Sequence, residues 1–196
     1  FNRNYFQNFF IKRKIDLIYF ISPSRFALDL NKLNFIYTIW DLCHRDHPEF
    51  PEISINNEFE NRELRYNYAL KRATCVIVDS EYGRKNITSK YGIEANRVCV
   101  IPFEPNIQIK KFSKNNFEII DTFKKYNLKG DYLFYPAQFW PHKNHIYILK
   151  SIYHLEKEYG IKINAIFSGS DKGCKKDIIS KAKELEIGNR IILTGF

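Results

Sequence analysis

The segment Asp41-Leu-Cys-His44-Arg45-Asp-His47-Pro-Glu-Phe-Pro-Glu52 gathers two histidines, one arginine and four carboxylates into twelve residues. Such side chains donate and accept protons, and they hold a sugar-like polyol through several hydrogen bonds at once. Asp41, Cys43, His44 and His47 are also metal-ligand types. A closed zinc site needs four converging ligands, however, and no second half is visible, so no metal is expected. The competing reading is a polar surface loop punctuated by Pro48 and Pro51.

A second segment, Tyr135-Pro-Ala-Gln138-Phe-Trp-Pro-His-Lys143-Asn144-His145, offers different chemistry. Asn144 suits a helix N-cap, which sets Lys143 beside the free N–H groups of a following helix. A cation at a helix N-terminus is a site for a diphosphate. The spacing is neither a Walker A loop nor a GxGxxG fingerprint, and a capped loop without a ligand fits equally well. Two shorter segments join it. In Phe167-Ser-Gly169-Ser170-Asp-Lys-Gly173, Gly169 either lets a ligand approach the backbone or makes a tight turn. Thr194-Gly195-Phe196 follows another apolar run. Ser80 in Asp79-Ser80-Glu81 reads as a helix cap. The chain contains no DxD metal-sugar motif and no GxSxG nucleophile elbow.

Short apolar runs place these segments. Ile15–Ile21, Phe35–Ile39, Cys75–Val78 and Val98–Ile101 are continuous rather than alternating and predict buried parallel strands. Asn57–Arg72 and Glu81–Tyr91 between them are helical in composition, and Gly92 closes the second. The pattern lapses from Pro102 to Gly130, apart from a short helix expected around Glu118–Tyr126, and then restarts. Tyr132–Tyr135, Lys162–Phe167 and Arg190–Leu193 predict strands. Asn144–Tyr159 and Cys174–Glu186 predict helices, the first with Ile146, Ile148, Leu149, Ile152, Leu155 and Tyr159 as its apolar set. Strand–helix alternation predicts an α/β chain whose parallel sheets are covered on both faces, with ligands beyond the carboxyl ends of the strands.

Composition sets outer limits. The 196 residues are 44% hydrophobic, 16% aromatic and 27% charged, which excludes collagen-like, coiled-coil and fully disordered chains. No apolar run approaches the ~18 residues of a membrane span. The net charge of +9 is spread along the chain and suits phosphates, nucleic acid or anionic lipid, although solubility and a Lys-rich composition explain it as well. The basic and aromatic stretch 1–14 could lean on an anionic membrane. None of the four cysteines forms a CxxC pair. They read as small core residues of a protein from a reducing compartment. With Phe1 first and no Met, the chain reads as a piece of a longer product.

Several of these segments, in order, resemble the GT-B-fold retaining glycosyltransferases of the large "group 1" type, glycosyltransferase family 4. Tyr37-Thr-Ile-Trp40-Asp41-Leu-Cys-His44 is similar to the family's strand and "T-I-H-D-L" turn. Ala73-Thr-Cys-Val-Ile-Val-Asp-Ser80-Glu-Tyr-Gly-Arg84 and Arg97-Val-Cys-Val-Ile-Pro102 resemble later runs of its first domain. Tyr135–His145, Phe167–Ser170 and Arg190–Gly195 resemble the opening of its donor domain.

The resemblance implies two Rossmann-like parallel-sheet domains with a cleft between them, both incomplete. Residues 1–104 would be the C-terminal part of the acceptor domain, 105–130 a linker, and 131–196 the N-terminal part of the nucleotide-sugar domain. It implies a hexosyltransferase-type enzyme that moves a sugar, with retention and without a metal or other cofactor, from a nucleotide-sugar to a glycan or lipid-linked acceptor. The setting would be polysaccharide or lipopolysaccharide assembly in the bacterial cytoplasm or at the cytoplasmic face of the inner membrane. His44 and Asp41 would be catalytic, with Trp40 standing where the family carries its histidine. Arg45 and His47 would meet the acceptor. Lys143, Gln138 and Asn144 would hold the donor diphosphate, with Ala137 or Gln138 where the family has an arginine. Gly169, Ser170 and Gly195 would line the donor. The family's paired glutamates would lie beyond Phe196, so the piece alone is expected to be inactive. The alternatives are another GT-B-like enzyme, such as a nucleotide-sugar epimerase or phosphorylase, a non-catalytic relative, or a basic nucleic-acid-binding module. The last lacks RNP, KH and zinc-finger signatures, so no nucleic-acid partner is expected.

Overall fold

The computed structural model describes residues 4–105, 124–128 and 130–195. The chain divides into two compact units, Phe1–Pro105 and Asn106–Phe196.

In the first unit, helix α1 (Asn4–Ile11) precedes strand β1 (Leu17–Phe20), and β2 (Asn34–Thr38) follows after a 3-10 turn at Arg25–Asp29. Two one-turn helices, α2 (Cys43–Asp46) and α3 (Pro51–Ser54), lead to α4 (Glu58–Arg72). Then come β3 (Cys75–Val78), α5 (Glu81–Tyr91) and β4 (Val98–Val100). The four strands are parallel in the order β1-β2-β3-β4. Phe20, Phe35, Tyr37, Val76, Val78 and Val98 fill the face against which α4 buries Tyr66, Ala69 and Leu70. That spacing is one stripe of a helix. The fully buried Tyr37 keeps its hydroxyl satisfied, donating to the Ser24 carbonyl at 3.1 Å and accepting from the Ser24 N–H at 2.9 Å.

Local chemistry sets the helix ends. Pro51 stands in the first turn of α3, where its missing N–H costs nothing. Asn56 and Asn57 both adopt left-handed backbone and turn the chain into α4. The Ser80 hydroxyl caps α5 by accepting from the Gly83 N–H at 3.2 Å, and Gly92 ends it with φ of 65°.

The second unit carries β5 (Tyr132–Pro136), α6 (His145–Tyr159), β6 (Asn164–Ser168), α7 (Lys175–Glu184) and β7 (Ile191–Gly195). Its strands are parallel in the order β5-β6-β7. Phe139, Leu149, Ile152, Ala165, Phe167, Ile178, Ala182 and Ile187 form its core. Residues 118–123 of the short helix expected around Glu118–Tyr126 lie outside the described residues.

Three expectations need correction. Among the described residues the cover expected on both faces of the first sheet is incomplete: on the side away from the core Leu17 and Tyr19 of β1 are 49% and 51% exposed, while Thr38 of β2 is buried. Tyr159, expected in the apolar stripe of α6, is exposed: it continues the line of His145, Leu149 and Ile152 but is the last residue of the helix, just before the Gly160 cap. No cysteine is a buried core residue. Cys43 and Cys99 are exposed, and Cys75 and Cys174 half-buried. Among the described residues no helix is long and apolar enough to cross a membrane.

Candidate functional site

The carboxyl ends of β5, β6 and β7 bring together the three segments expected to meet the donor. The pairing sets Pro136 beside Ser168 and Ser168 beside Gly195. Backbone bonds then tie the loops. The Phe139 N–H donates to the Ser170 carbonyl at 3.0 Å and the Gly169 N–H to the Gly195 carbonyl at 2.9 Å. The Ser168 hydroxyl also donates to the Gly195 carbonyl, at 3.1 Å. Gly169 thus meets another loop's backbone, in contact with Ala137 and Gln138.

Lys143 ends a 3-10 turn at Pro141–Lys143. Its side chain is exposed and makes no ion pair among the described residues. Its carbonyl accepts from the Tyr135 hydroxyl at 3.0 Å, fixing the turn to β5. Asn144 follows in left-handed backbone (φ 48°), and its side-chain oxygen caps α6 by accepting from the Tyr147 N–H at 3.2 Å. Lys143 thus stands in the turn just before the cap of a fifteen-residue helix, whose first N–H groups, apart from the capped one of Tyr147, have no partner within the helix. The Gln138 carboxamide oxygen accepts from the Trp140 indole N–H at 3.0 Å. The Lys172 ammonium lies 5.5 Å from the Trp140 ring centroid. Asp171 accepts from the Gly173 and Lys175 N–H groups, and these backbone bonds hold its carboxyl below the usual range.

Two features of this edge were not foreseen. His145 is 2% exposed and packed among Tyr135, Phe139 and Phe167, with ring centroids 4.9–5.0 Å away. Burial pushes its imidazole below the ordinary histidine range, with the Ala137 backbone pulling weakly the other way. Among the described residues neither ring nitrogen has a partner of hydrogen-bond geometry. Its place four and seven residues before Leu149 and Ile152 was the signal. The pairing of Trp140 with Lys172 links two loops, and no sequence pattern announces it.

In the first unit the segment after β2 behaves differently from the expectation. Asp41 is exposed; its carboxylate accepts from the Cys43 N–H at 2.9 Å and meets Arg62 at 3.5 Å. Trp40 is half exposed. His44, expected to be catalytic, has 0% exposure. Its Nε2 lies 2.8 Å from Glu63 Oε1 and 3.3 Å from the Tyr91 hydroxyl, and its ring packs against Tyr66 and Phe59. Burial pushes its pKa down, with Glu63 opposing. A ring without an exposed atom touches no substrate in this conformation. The helical spacing of α2 turns His44 inward while Cys43 faces out.

Glu63 is the hub that sequence reasoning missed. Arg45 grips its carboxylate from two nitrogens at 2.7 and 2.5 Å, and the Tyr91 hydroxyl donates at 2.6 Å. Asn67 adds a bond at 3.2 Å. Arg45 first, then Tyr91 and His44, hold the Glu63 carboxyl down to about 2 against the opposing effect of burial. Arg45, expected to meet the acceptor, spends its fork on Glu63 and stacks 4.4 Å from the Tyr91 ring centroid. The signal was Phe59 and Tyr66, four before and three after Glu63, which put it at the margin of the buried face of α4. His47 is exposed and 3.2 Å from Glu49, a pair of small energetic weight. Among the described residues no group of three or more His, Cys, Asp and Glu side chains could hold a metal ion.

No protein-family model and no curated sequence matches the chain. Solved structures do. HepE from Anabaena, in complex with UDP and glucose, superposes with a TM-score of 0.73 at 16% identity, over 97% of this chain and 50% of that one. WaaG, a glycosyltransferase involved in lipopolysaccharide biosynthesis, gives 0.71 at 12% identity over 97% and 51%. The UDP-N-acetylglucosamine 2-epimerase from Rickettsia bellii gives 0.53 at 17% identity over 96% and 48%. The chain thus spans about half the length of these proteins. Its fold, with two parallel α/β sheets, is that of the GT-B glycosyltransferases.

Proposed function

We propose that this chain is part of a glycosyltransferase that takes a sugar from a nucleotide-sugar donor. The observation that carries the reading is the strand-end platform of the second unit: the loops after β5 and β6 and the end of β7 knitted by backbone bonds, with the exposed Lys143 in the turn that leads into α6. Departure of a nucleoside diphosphate builds negative charge on its oxygens. A preorganised cation and helix N–H groups stabilise that charge.

In this reading Lys143 and the first turn of α6 receive the diphosphate. Asn144 holds the helix start, while Gln138, Gly169, Ser170 and Gly195 shape the platform. Asp41 and His47, both exposed after β2, face the acceptor, and His44 and Arg45 act through Glu63 by holding that segment in place. Transfer proceeds with retention, of a hexosyl unit, to a glycan or lipid-linked acceptor, and invokes no metal or organic cofactor. Cell-surface polysaccharide or lipopolysaccharide assembly in the bacterial cytoplasm, with peripheral contact to the inner membrane, is the proposed setting. The higher superposition scores of HepE and WaaG than of the epimerase support transfer over epimerisation.

The test is a screen of radiolabelled nucleotide-sugars against the complete protein. Label passing to a glycan or lipid acceptor is expected. Release of an epimerised nucleotide-sugar without any transfer would overturn the reading.

A further inference from the structure

The register of β3 and β4 pairs Val76 with Val98 and Ile77 with Cys99. Side chains alternate across a sheet, so Cys75, Ile77 and Cys99 share the face opposite the core of Val76, Val78 and Val98. On that face the Cys75 and Cys99 sulfurs stand 3.1 Å apart. A disulfide bond measures about 2.05 Å, so closing one asks the sulfurs to approach by ~1 Å along a diagonal, since the register sets Ile77 and not Cys75 opposite Cys99. Cys99 is exposed and Cys75 half-buried, so an oxidant in solvent meets Cys99 first. Burial, and then the neighbouring Cys99 thiol, push the Cys75 thiol up to about 11. Cys75 is therefore the less accessible sulfur and is placed to act second.

We propose that Cys75 and Cys99 form a modification site, a vicinal thiol pair that hydrogen peroxide converts into a reversible intrachain disulfide. The Cys99 sulfur attacks the peroxide O–O bond; one oxygen stays as sulfenic acid, and the other leaves as water with the thiol proton. The Cys75 sulfur then attacks the sulfenic sulfur. The S–S bond forms, the S–O bond breaks, and a second water leaves with the Cys75 proton. Two thiols lose two electrons and one peroxide becomes two waters. The bridge encloses α5 and clamps the β3-α5-β4 crossover at its opening end. Exposure of Cys99 on the side of the sheet away from the core is the setting of a labile, reducible disulfide.

The reduced protein, treated with hydrogen peroxide and then with N-ethylmaleimide, tests this by intact mass and peptide mapping. The expected result is two maleimide adducts, on Cys43 and Cys174, where the untreated reduced protein takes four, a linked peptide pair containing Cys75 and Cys99 that is about 2 Da lighter than its two thiol peptides together, and restoration of both thiols by dithiothreitol. The C43S/C174S variant, which leaves both strands untouched, is expected to close the same bond. Cys75→Ser is expected to leave Cys99 as a sulfenic or sulfinic acid. Added oxygen on Cys99 in the unsubstituted protein without a link to Cys75, full labelling of both thiols, or linkage of Cys99 between two chains would each overturn the assignment.

Discussion

Gly169 lies so close to Ala137 that a Cβ built on it would stand 2.3 Å from the Ala137 carbonyl oxygen and 2.8 Å from the Gln138 Cα. The backbone of Gly169 is not left-handed, so the glycine is there for space and not for its dihedral freedom. The loop after β6 rests directly on the loop after β5, and this contact builds the platform that carries Lys143.

Gly169→Ala should therefore force two backbones apart. The expected cost is about 1–3 kcal/mol, the scale of overpacking a filled site. Urea unfolding measures it, and an unchanged midpoint would mean that the loops are not in contact.

Lys143→Ala removes a charge without removing a packed group, since the side chain is exposed and unpaired among the described residues. Turnover of the complete protein is expected to fall ~10²-fold, comparable to losing one oxyanion donor. The unfolding midpoint should stay where it is. Full turnover in the variant would remove Lys143 from the diphosphate site.

Glu63→Gln keeps the shape of the hub and removes its charge. A destabilisation of about 2 kcal/mol is expected, on the scale of hydrogen bonds to a charged group. The folded carboxyl titrates at about 2, below its ordinary value of roughly 4.3 in the unfolded chain. Its stabilisation is thus fully present above the unfolded value and lost as pH falls toward the folded one. Acid unfolding of the parent protein should steepen between about pH 5 and 2, and the variant should show a flatter profile there. Identical acid limbs would count against the hub.

His145 has a lowered pKa, so below about pH 6.5 the unfolded chain takes up a proton that the folded one refuses. The stability that this group confers is present above that pH and fades as pH drops through it. His145→Leu, which keeps an apolar side chain among Tyr135, Phe139 and Phe167, should remove that part of the acid-side slope. Stability curves at pH 7.5 and 5.5 would show it; a slope unaltered by the substitution would mean that the imidazole is already solvated.

The sequence alone carried a good deal of this. Continuous apolar runs located strands such as Cys75–Val78 and Val98–Val100, because a strand in a parallel sheet needs little alternation to find its place. Ser80, Gly92 and Asn144 marked helix ends through short-range hydrogen bonding and backbone preference, which neighbouring residues are enough to dictate. The donor-side loops were legible for the same reason: each follows a strand directly, and parallel pairing brings strand ends to one edge.

What lay beyond reach was the direction of side chains and the meeting of distant ones. His44, Arg45 and Asp41 are neighbours with similar polarity. One turn of helix buries the first, pairs the second with Glu63 eighteen residues on, and leaves the third in solvent. Likewise, nothing in the spacing of Cys75 and Cys99 says that their sulfurs meet; the pairing of β3 with β4 puts them on one face, and the side chains then reach each other along a diagonal. Element type and boundary follow from contacts within a few residues and are written along the chain. Burial, charge pairing and loop-on-loop contact depend on segments far apart in sequence, and only their packing in three dimensions determines them.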